Sequence, residues 1–472
     1  MKYVSTRGEA PVLSFEDVLL AGLARDGGLY VPESWPQLSG SEIAGFSGLP
    51  FHEVATRVLM PFVGDAFSEA ELRGLAKEAY ASFGHPAVTP LVQTGPNQFI
   101  LELFHGPTLA FKDVAMQLLA RMMDHVLDKR GARATIVGAT SGDTGGAAIE
   151  AFRGSKNVDV FILFPEGRVS DVQRRMMTTP TEASVHSVSI AGTFDDCQAL
   201  VKGMFTHHAF RDRVRLSGVN SINWARIMAQ VTYYFVAGAA LGAPHRKLAF
   251  SVPTGNFGDI FAGYVAKRMG LPIEKLIIAS NDNDILPRMI ETGAYEMRDV
   301  IATTSPSMDI QISSNFERYL FEASGRDSDG TRQKMMQLKQ SKRFELGDLH
   351  GPTRSDFAAA RATEAEVAET ITSMTSEAGY VVEPHTACGV FSVDAIRKHL
   401  DRNVAQVILA TAHPAKFPDA MEAITGVRPG LPDRLSQLMV LPERFDVVEN
   451  SAASVESFIE SRTRAACSQT VS

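Results

Sequence analysis

Five short and nearly continuous apolar runs constrain the fold of this chain more than any other feature of its sequence. They are ATIVGA (134–139), VDVFILF (158–164), VHSVSI (185–190), KLAFSV (247–252) and QVILA (406–410). Such runs are typical of strands buried on both faces of a mainly parallel sheet. Helical patterns separate them, at Gly145–Phe152, Asp195–Thr206, Ile222–Leu241, Asp259–Met269 and Ala387–His399. This alternation predicts an α/β fold.

The rest of the chain divides into a helical beginning, an insertion and a tail. Helical patterns fill most of the first 95 residues, at 15–23, 43–48, 51–62 and 69–83. Residues 324–354 are polar and rich in Gly and Lys, which predicts an exposed insertion, and residues 450–472 predict a polar, partly mobile end. We therefore predict four segments: a mostly helical domain at 1–95, α/β lobes at 96–220 and 221–432, and a C-terminal tail at 433–472.

Composition and spacing exclude several classes of function. The formal net charge is -8, and no long Lys/Arg cluster occurs, which argues against nucleic-acid binding. The three cysteines are widely spaced and form no CxxC pair, which predicts a cytoplasmic protein. No apolar run reaches about 18 residues, so no membrane span is expected. A zinc-binding HExxH motif starting at His52 would need a second His where the chain has Thr56, so no metal site is predicted.

One lysine stands in an unusual position. An apolar run ends in the turn His105–Thr108, and a helical pattern follows, with Thr108 as its predicted N-cap. Lys112 would then lie in the first helical turn, where a cation opposes the helix dipole, and its neighbours are apolar. Both effects lower the pKa of a lysine, as a nucleophilic or imine-forming lysine requires. The alternative is an ordinary exposed surface lysine.

Two loops that follow predicted strands are rich in glycine. Thr140–Gly146 (TSGDTGG) interleaves hydroxyls with glycines directly before a helix, and Pro253–Asp259 (PTGNFGD) also leads into one. Backbone N–H groups at such helix starts bind anions, and glycine lets the ligand approach the backbone closely. From the residues alone, a capping turn and a plain βα turn explain the two loops about as well.

Two further segments place polar side chains beside a helix start or a strand end. Ser221 is predicted to cap a helix, which puts Arg226 near its start, where a guanidinium suits a phosphate. The alternative is an arginine paired with a structural carboxylate. Thr411 follows a buried strand, and its hydroxyl suits either a ring nitrogen or an N-cap before Pro414. Lys416, in the same segment, is a rival to Lys112 as an imine-forming lysine.

Taken together, these motifs resemble those of one family. FHGPTLAFKD (104–113), SGDTG (141–145), PTGNFGD (253–259) and AHPAKFPDA (412–420) are similar to motifs of threonine synthases, pyridoxal-phosphate (PLP) enzymes of the tryptophan-synthase-β-like fold. The resemblance begins at GGLYVP (27–32) and covers most of the chain. It implies PLP fold type II, with two α/β lobes that contain mainly parallel sheets, plus a helical N-terminal region.

The resemblance also implies a role for each motif. Lys112 would carry PLP covalently, and Thr411 would contact the pyridine nitrogen. The residues implied to bind the cofactor phosphate are Gly255, Asn256, Phe257, Gly258 and Asp259. Those implied to bind the substrate carboxylate are Thr140, Ser141, Asp143 and Thr144. Those implied to bind the substrate phosphate are Ser221 and Arg226, assisted by Asn220 or Asn223. Many relatives have Asn at the position of Asp143, and Asp there favours one branch of the family.

The implied reaction converts O-phospho-L-homoserine and water into L-threonine and phosphate. An alternative is a PLP-dependent phospho-lyase or Ser/Thr dehydratase that stops at elimination and releases a 2-oxo acid. The presence of Arg226 disfavours a dehydratase that uses unphosphorylated substrates. A third interpretation, a catalytically silent relative that only binds ligands or partners, is disfavoured by the presence of Lys112. The sequence leaves a monomer and a homodimer equally open.

Overall fold

The computed structural model describes residues 1–140 and 142–467. Its strands are β1 (Tyr3–Ser5), β2 (Tyr30–Pro32), β3 (Leu91–Gly95), β4 (Gln98–Glu102), β5 (Ala134–Ala139), β6 (Val158–Pro165), β7 (Val185–Ile190), β8 (Leu216–Ser217), β9 (Leu248–Pro253), β10 (Ile273–Ser280), β11 (Ala294–Glu296), β12 (Arg343–Glu345), β13 (Phe357–Arg361), β14 (Ala405–Ala410) and β15 (Asp446–Val448).

Its helices are α1 (Phe15–Ala21), α2 (Gly40–Ala44), α3 (Phe51–Val63), α4 (Glu69–Tyr80), α5 (Lys112–Lys129), α6 (Asp143–Phe152), α7 (Asp171–Thr178), α8 (Phe194–Thr206), α9 (His208–Arg213), α10 (Trp224–Ala240), α11 (Gly258–Arg268), α12 (Ile285–Thr292), α13 (Phe316–Ala323), α14 (Ser328–Ser341), α15 (His350–Asp356), α16 (Glu364–Glu377), α17 (Pro384–Ile396), α18 (Pro418–Thr425), α19 (Ala452–Glu460) and α20 (Arg464–Cys467). Within the described ranges, no helix has both the length and the apolar character needed to cross a membrane.

Two mainly parallel sheets organise these elements. The larger, six-stranded sheet has the order β13-β10-β9-β14-β4-β3, and only its β3–β4 pair is antiparallel. The smaller, five-stranded sheet has the order β15-β7-β6-β5-β8 and is parallel throughout. The predicted α/β fold is therefore confirmed. The loops singled out in the sequence follow β5, β9 and β14, at the strand ends where ligands bind in such folds.

The five predicted strands are confirmed, each within one residue of its observed bounds. Every residue of β6, β9 and β14 is buried, which explains why these runs show no polar alternation. Two elements of the larger sheet, β10 and β13, are among the strands that were not predicted. The apolar run of β10 is interrupted near its start by Glu274 and Lys275, and β13 is an edge strand in which only Phe357 is buried.

Helix α10 connects the N-terminal region to the rest of the protein, and nearly all of its residues are buried. The ring of its first residue, Trp224, contacts those of Tyr3, Trp35 and Phe62, with centroids 6.0, 5.9 and 5.7 Å away. Large aromatic side chains contribute most of the area buried in such a cluster. The N-terminal region therefore fixes the start of α10, which also carries Arg226.

The segment 324–354 is mostly exposed, as its composition predicted, but it is also folded and attached to the rest of the protein. It forms α14, β12 and α15, and β12 pairs with β11 in a two-stranded antiparallel sheet. Leu338, Phe344 and Leu346 are buried, and the Phe344 ring stacks on that of Tyr295 with centroids 4.9 Å apart. A few widely spaced apolar side chains thus suffice to attach an otherwise polar and exposed segment.

The predicted mobile end is packed against the protein at least as far as Ala465. Val455 and Ile459 of α19 are buried in the cluster that covers the smaller sheet. Arg464 Nε donates to Oδ1 of buried Asp159 over 2.8 Å. These partners are 305 positions apart, so local composition gave no sign of the contact. The rest of the predicted mobile segment, residues 468–472, lies outside the described residues.

The predicted segment boundaries do not follow the sheets. The boundary between residues 95 and 96 falls between β3 and β4, which pair with each other in the larger sheet. The tail contributes β15 to the smaller sheet. Each sheet thus combines parts of the chain that are distant in sequence, and the division into four segments stays a prediction of the sequence alone.

Gly263 of α11 offers a test of helix–sheet packing. A Cβ atom there would lie 2.8 Å from both Leu276 Cδ2 and Tyr234 Cε1. We predict that Gly263→Ala lowers the free energy of unfolding by about 1–3 kcal/mol through overpacking, although Ala favours helices. The matched control is Gly203→Ala on α8, where no atom lies within 4 Å of the new Cβ, and which should stabilise by about 0.5–1 kcal/mol. Urea unfolding checks both variants, and equal effects would contradict this account.

Candidate active site

The turn before α5 differs from the prediction that Thr108 is an N-cap. The helix begins at Lys112 itself, and its N-cap residue Phe111 makes no side-chain cap. Leu109 has a φ of +60°, so the chain cannot be helical before that point. Thr108 instead donates from its N–H and its hydroxyl to the buried carboxylate of Asp113, over 2.8 and 2.7 Å. Asp113, in the first turn of α5, thus fixes the conformation of the loop that precedes the helix.

Lys112 is buried, with 8% of the residue exposed. The alternative of an exposed surface lysine is therefore wrong. Its Nζ atom lies 3.4 Å from Oδ2 of Asp143. Burial lowers the pKa of Lys112 most, the Asp143 carboxylate raises it, and the cations of Lys416 and Arg226 lower it further. The net direction is downward, as predicted, and it favours the neutral amine that can form an imine.

Asp143, at the start of α6, lies between two lysines. Its Oδ1 atom is 2.6 Å from Lys416 Nζ and accepts a hydrogen bond from Gln173 Nε2 over 2.9 Å. Lys416 and Lys112 together hold the pKa of Asp143 well below its usual range despite burial, which acts in the opposite direction. Gly142 has a φ of +142°, and a Cβ atom there would lie 2.5 Å from the Gln173 amide. The position therefore requires glycine.

The loop between β5 and α6 is closed by one hydroxyl. Thr140 Oγ1 accepts hydrogen bonds from the N–H groups of Gly142 and Gly145, both over 2.9 Å. Thr144 follows in the first turn of α6 and is half-buried. Ser141 lies outside the described residues. A carboxylate-binding role for this loop stays a prediction, and Thr140 also has a structural role in it.

The loop between β9 and α11 presents unsatisfied backbone donors. In the described part of the chain, the N–H groups of residues 255–258 donate no hydrogen bond. Phe257 has a φ of +63°, and a Cβ atom at Gly255 would lie 2.6 Å from the carbonyl oxygen of Ser307. Asn256 accepts at its carbonyl oxygen from the N–H and the Nδ2 of Asn315, both over 3.0 Å. The loop is therefore fixed while its donors stay available, as an anion site at a helix start requires.

Asp259 belongs to this loop, and two tyrosine side chains of α10 hold its carboxylate. Its Oδ1 atom accepts hydrogen bonds from the hydroxyls of Tyr233 and Tyr234. Burial raises the pKa of Asp259 to about 6, and the two tyrosines oppose that shift. Its Oδ2 atom is buried without a partner. Contact between Asp259 and a cofactor phosphate stays a prediction.

Arg226 is a buried cation without a counter-ion among the described residues. It is 3% exposed, its Nε atom has no hydrogen-bond partner, and Nη1 donates only to the carbonyl oxygen of Val219 over 3.3 Å. The alternative of an arginine paired with a structural carboxylate is therefore wrong. Burial lowers the pKa of Arg226 to about 10. Buried charged groups are normally paired, so this guanidinium marks a place for an anion.

The cap of α10 corrects two predictions. Asn223 is the N-cap, and its Oδ1 atom accepts from the N–H of Ala225 over 2.9 Å, so Ser221 does not cap the helix. Asn223 Nδ2 donates to the carbonyl oxygens of Leu19 and Gly218 over 3.0 and 3.1 Å. The amide of Asn223 is thus fully engaged and not available to a substrate. The hydroxyl of Ser221 has no hydrogen-bond partner in the described part of the chain and is available.

Asn315 is a site residue that the sequence did not indicate. Its Nδ2 atom donates to the carbonyl oxygens of Ser221 and Asn256, over 3.1 and 3.0 Å, and so joins the segment before α10 to the loop between β9 and α11. Its Oδ1 atom accepts from Arg318, which is fully buried. Neither residue lies in a glycine-rich motif, and no local pattern distinguishes this asparagine from others.

Thr411 lies beside the turn that carries the lysine. Its carbonyl oxygen accepts from the N–H of Phe111 over 2.8 Å. Its hydroxyl has no hydrogen-bond partner among the described residues. The alternative N-cap role falls to His413, whose side chain accepts from Ala415 N–H over 3.1 Å at the start of the short 3-10 helix Pro414–Lys416. The Thr411 hydroxyl remains available for a ring nitrogen.

These groups fit PLP. The buried amine of Lys112 has a lowered pKa and can bond to an aldehyde, and the N–H groups of 255–258 can receive a phosphate. Lys112, Asp259 and Arg226 lie near enough for the charge of each to affect the pKa of another. Arg226 remains unpaired and can hold a second anion.

Known proteins match the chain over nearly its whole length. Residues 84–411 match the family of pyridoxal-phosphate dependent enzymes, residues 2–80 the threonine synthase N terminus, and residues 386–459 the threonine synthase C-terminal region. Threonine synthase of Pseudomonas aeruginosa is 51% identical over 461 residues, covering 97% of this chain and 98% of the relative. That of Saccharomyces cerevisiae is 42% identical over 490 residues, covering 95% of each chain.

A solved structure extends the likeness to the fold. The crystal structure of PLP-bound threonine synthase from Brucella melitensis is 61% identical to this chain, with a TM-score of 0.95, and the match covers 98% of this chain and 100% of that one. The predicted PLP fold type II and the predicted cofactor are thereby confirmed. The chain belongs to the threonine synthase family of PLP-dependent enzymes.

Proposed function

We propose that this enzyme converts O-phospho-L-homoserine and water into L-threonine and phosphate. The observation that carries the proposal is a second anion site beside the cofactor site. The N–H groups of residues 255–258 form one site, and the unpaired guanidinium of Arg226 with the free hydroxyl of Ser221 forms the other. A PLP enzyme with an unphosphorylated substrate would need only the first of these.

Lys112 is the residue that moves protons. PLP supplies an electron sink for negative charge that develops on the substrate carbons. The Lys112 amine, whose pKa is lowered by burial, can accept a proton at one substrate carbon and return it at another. Because Lys112 is the first residue of the rigid helix α5, its reach is limited to one region of the pocket. This limitation suits proton transfer at neighbouring carbon atoms of one substrate.

Arg226 and Ser221 receive the phosphate that leaves. The planar guanidinium can bind two phosphate oxygens at once, and burial strengthens its attraction for negative charge that develops on the leaving group. Thr140, Thr144 and the α6 N-terminus would hold the substrate carboxylate at the opposite end. Such three-point binding orients the carbon chain between them. Water must be excluded until elimination is complete and must then add at Cβ, which requires the lobes to close over the substrate.

The alternative function is a phospho-lyase, which would use the same two anion sites but release a 2-oxo acid after elimination. The geometry of the phosphate site does not distinguish these outcomes, whereas a dehydratase of unphosphorylated substrates would leave Arg226 without an anion. The names of the relatives at 51% and 42% identity favour threonine formation. A cytoplasmic location belongs to the same proposal, because Cys197 and Cys388 are both free thiols.

The product decides between the candidate functions. We predict that purified enzyme with PLP and O-phospho-L-homoserine yields L-threonine and phosphate in equal amounts. The measurement is amino-acid analysis of the reaction mixture together with assays for phosphate and for 2-oxo acid. If 2-oxobutyrate is the main product, the enzyme is a lyase and the proposal is wrong.

Arg226 should be needed for the substrate rather than for the cofactor. We predict that Arg226→Ala lowers kcat/KM by roughly 30-fold to several thousand-fold, because loss of a buried charge-assisted pair costs about 2–5 kcal/mol. Arg226→Lys should retain only part of the original kcat/KM, because an ammonium cannot bind two phosphate oxygens in one plane as a guanidinium does. PLP content should stay near that of the unaltered enzyme. The control is Arg121→Ala on α5, whose guanidinium bonds to Gln117 and to no other residue in the described ranges. If Arg226→Ala loses PLP but turns over normally when PLP is supplied in excess, Arg226 binds the cofactor phosphate. The proposed roles of the two anion sites would then be exchanged.

Thr411 should serve the ring nitrogen as a neutral partner. We predict that Thr411→Ser retains most activity because the hydroxyl survives. Thr411→Asp should change the visible spectrum of the bound cofactor and the ratio of products, because a carboxylate favours a protonated ring nitrogen. Absorbance spectra and product analysis of both variants check this. An Asp variant with an unaltered spectrum and unaltered products would remove Thr411 from this position.

A further inference from the structure

A second lysine is buried in the pocket, and the proposed reaction gives it no task. Lys416 is only 1% exposed, less than Lys112. Its Nζ atom lies 2.6 Å from Asp143 Oδ1 and donates to the carbonyl oxygen of Thr108 over 2.8 Å. Removing an ammonium from water costs several kcal/mol, so a buried lysine requires a compensating role.

We propose that Lys416 is a positioning residue that offsets the charge of Asp143 and so keeps the nitrogen of Lys112 able to lose its proton. This inference rests on the proposed function, in which Lys112 is the lysine that carries PLP. It gives the second lysine of the pocket an electrostatic role rather than a covalent one.

The geometry supports this division of roles. Lys416 contacts Asp143 Oδ1, whereas the Oδ2 atom of the same carboxylate is the one 3.4 Å from Lys112 Nζ. Asp143 therefore lies between the side-chain nitrogen atoms of the two lysines. Lys416 also bonds to Thr108, in the turn before α5, so it ties the segment after β14 to the loops on both sides of Lys112. Its short contact leaves its amine less available for an aldehyde than that of Lys112.

The charges act on Lys112 in opposite directions. A carboxylate beside an amine favours the ammonium form, which cannot form an imine, whereas a nearby cation disfavours it. The pKa of Lys112 is lowered first by burial, is raised by Asp143, and is lowered by Lys416 and Arg226. Without Lys416, Asp143 would hold the proton on Lys112 more strongly.

Other titratable groups also face this pair. They are Asp113 next to Lys112 on α5, Asp259 on α11, Arg226 on α10, and His413 in the segment that carries Lys416. Burial raises the pKa of Asp113 and of Asp259 to about 6, and it lowers that of His413 to about 4. Because these groups are present in every variant below, they do not alter the direction of the expected shifts.

The test is a pH titration of the visible absorbance band of the PLP-loaded full-length enzyme, whose midpoint reports the proton affinity of the nitrogen that bonds PLP. Lys416→Met should raise the midpoint by about one pH unit, and Asp143→Asn should lower it by a similar amount. The double variant, which removes one charge of each sign, should return close to the unaltered midpoint. The matched control is Lys267→Met, which breaks a lysine–carboxylate pair of 2.9 Å at the far end of α11 and should not shift the midpoint.

The outcomes separate this inference from the function on which it rests. Lys112→Ala should abolish the band, and a band that persists there would overturn the proposed role of Lys112. If Lys112→Ala loses the band but the two single variants do not shift it in opposite directions, the role of Lys416 is wrong and that of Lys112 stands. If Lys416→Met fails to bind PLP, the double variant decides, since charge balance predicts that it binds. A double variant that also fails would overturn the electrostatic role.

Discussion

The burial of the Arg226 guanidinium without a carboxylate is the constraint on which the active site depends. An unpaired buried cation is unfavourable, so the surrounding structure must hold it in place. The N-terminal region does so by packing Tyr3, Trp35 and Phe62 around Trp224, two residues before Arg226. The packing of α10 thus offsets the cost of burying the Arg226 guanidinium, which remains available for an anion.

Packing and hydrogen bonds also hold backbone groups in positions where they remain available for an anion. The loop after β9 is held by Asn315, which donates to the carbonyl oxygen of Asn256, and its N–H groups have no partner among the described residues. Asn315 also donates to the carbonyl oxygen of Ser221. The relative position of these two loops therefore depends on one side chain.

Much of the fold could be predicted because its strands are buried on both faces and show as apolar runs. Lys112 could also be singled out, since it lies at a helix start where a cation is unusual. Arg226 could be singled out because a guanidinium near a helix start suits a phosphate. The predictions that were wrong concern contacts that local sequence does not encode. Thr108 and Ser221 are ordinary N-cap residues by type, yet Thr108 bonds to Asp113 and the cap of α10 falls to Asn223.

Long-range pairs set the remaining limits of prediction. Lys416 looked like a rival to Lys112, and only the folded arrangement shows its contact with Asp143. The segment 324–354 is attached through Phe344, whose partner, Tyr295, lies outside the segment. In each case both residues stand in the sequence, but the contact between them could not be predicted from it.

Lys112, and not Lys416, is proposed to be the lysine that bonds to PLP. To test this directly, the PLP-loaded enzyme is reduced with borohydride and digested, and the modified peptide is identified by mass spectrometry. We expect the pyridoxyl label on Lys112, in the peptide that contains the turn before α5. A label on Lys416 would show that the two lysines have been assigned the wrong roles.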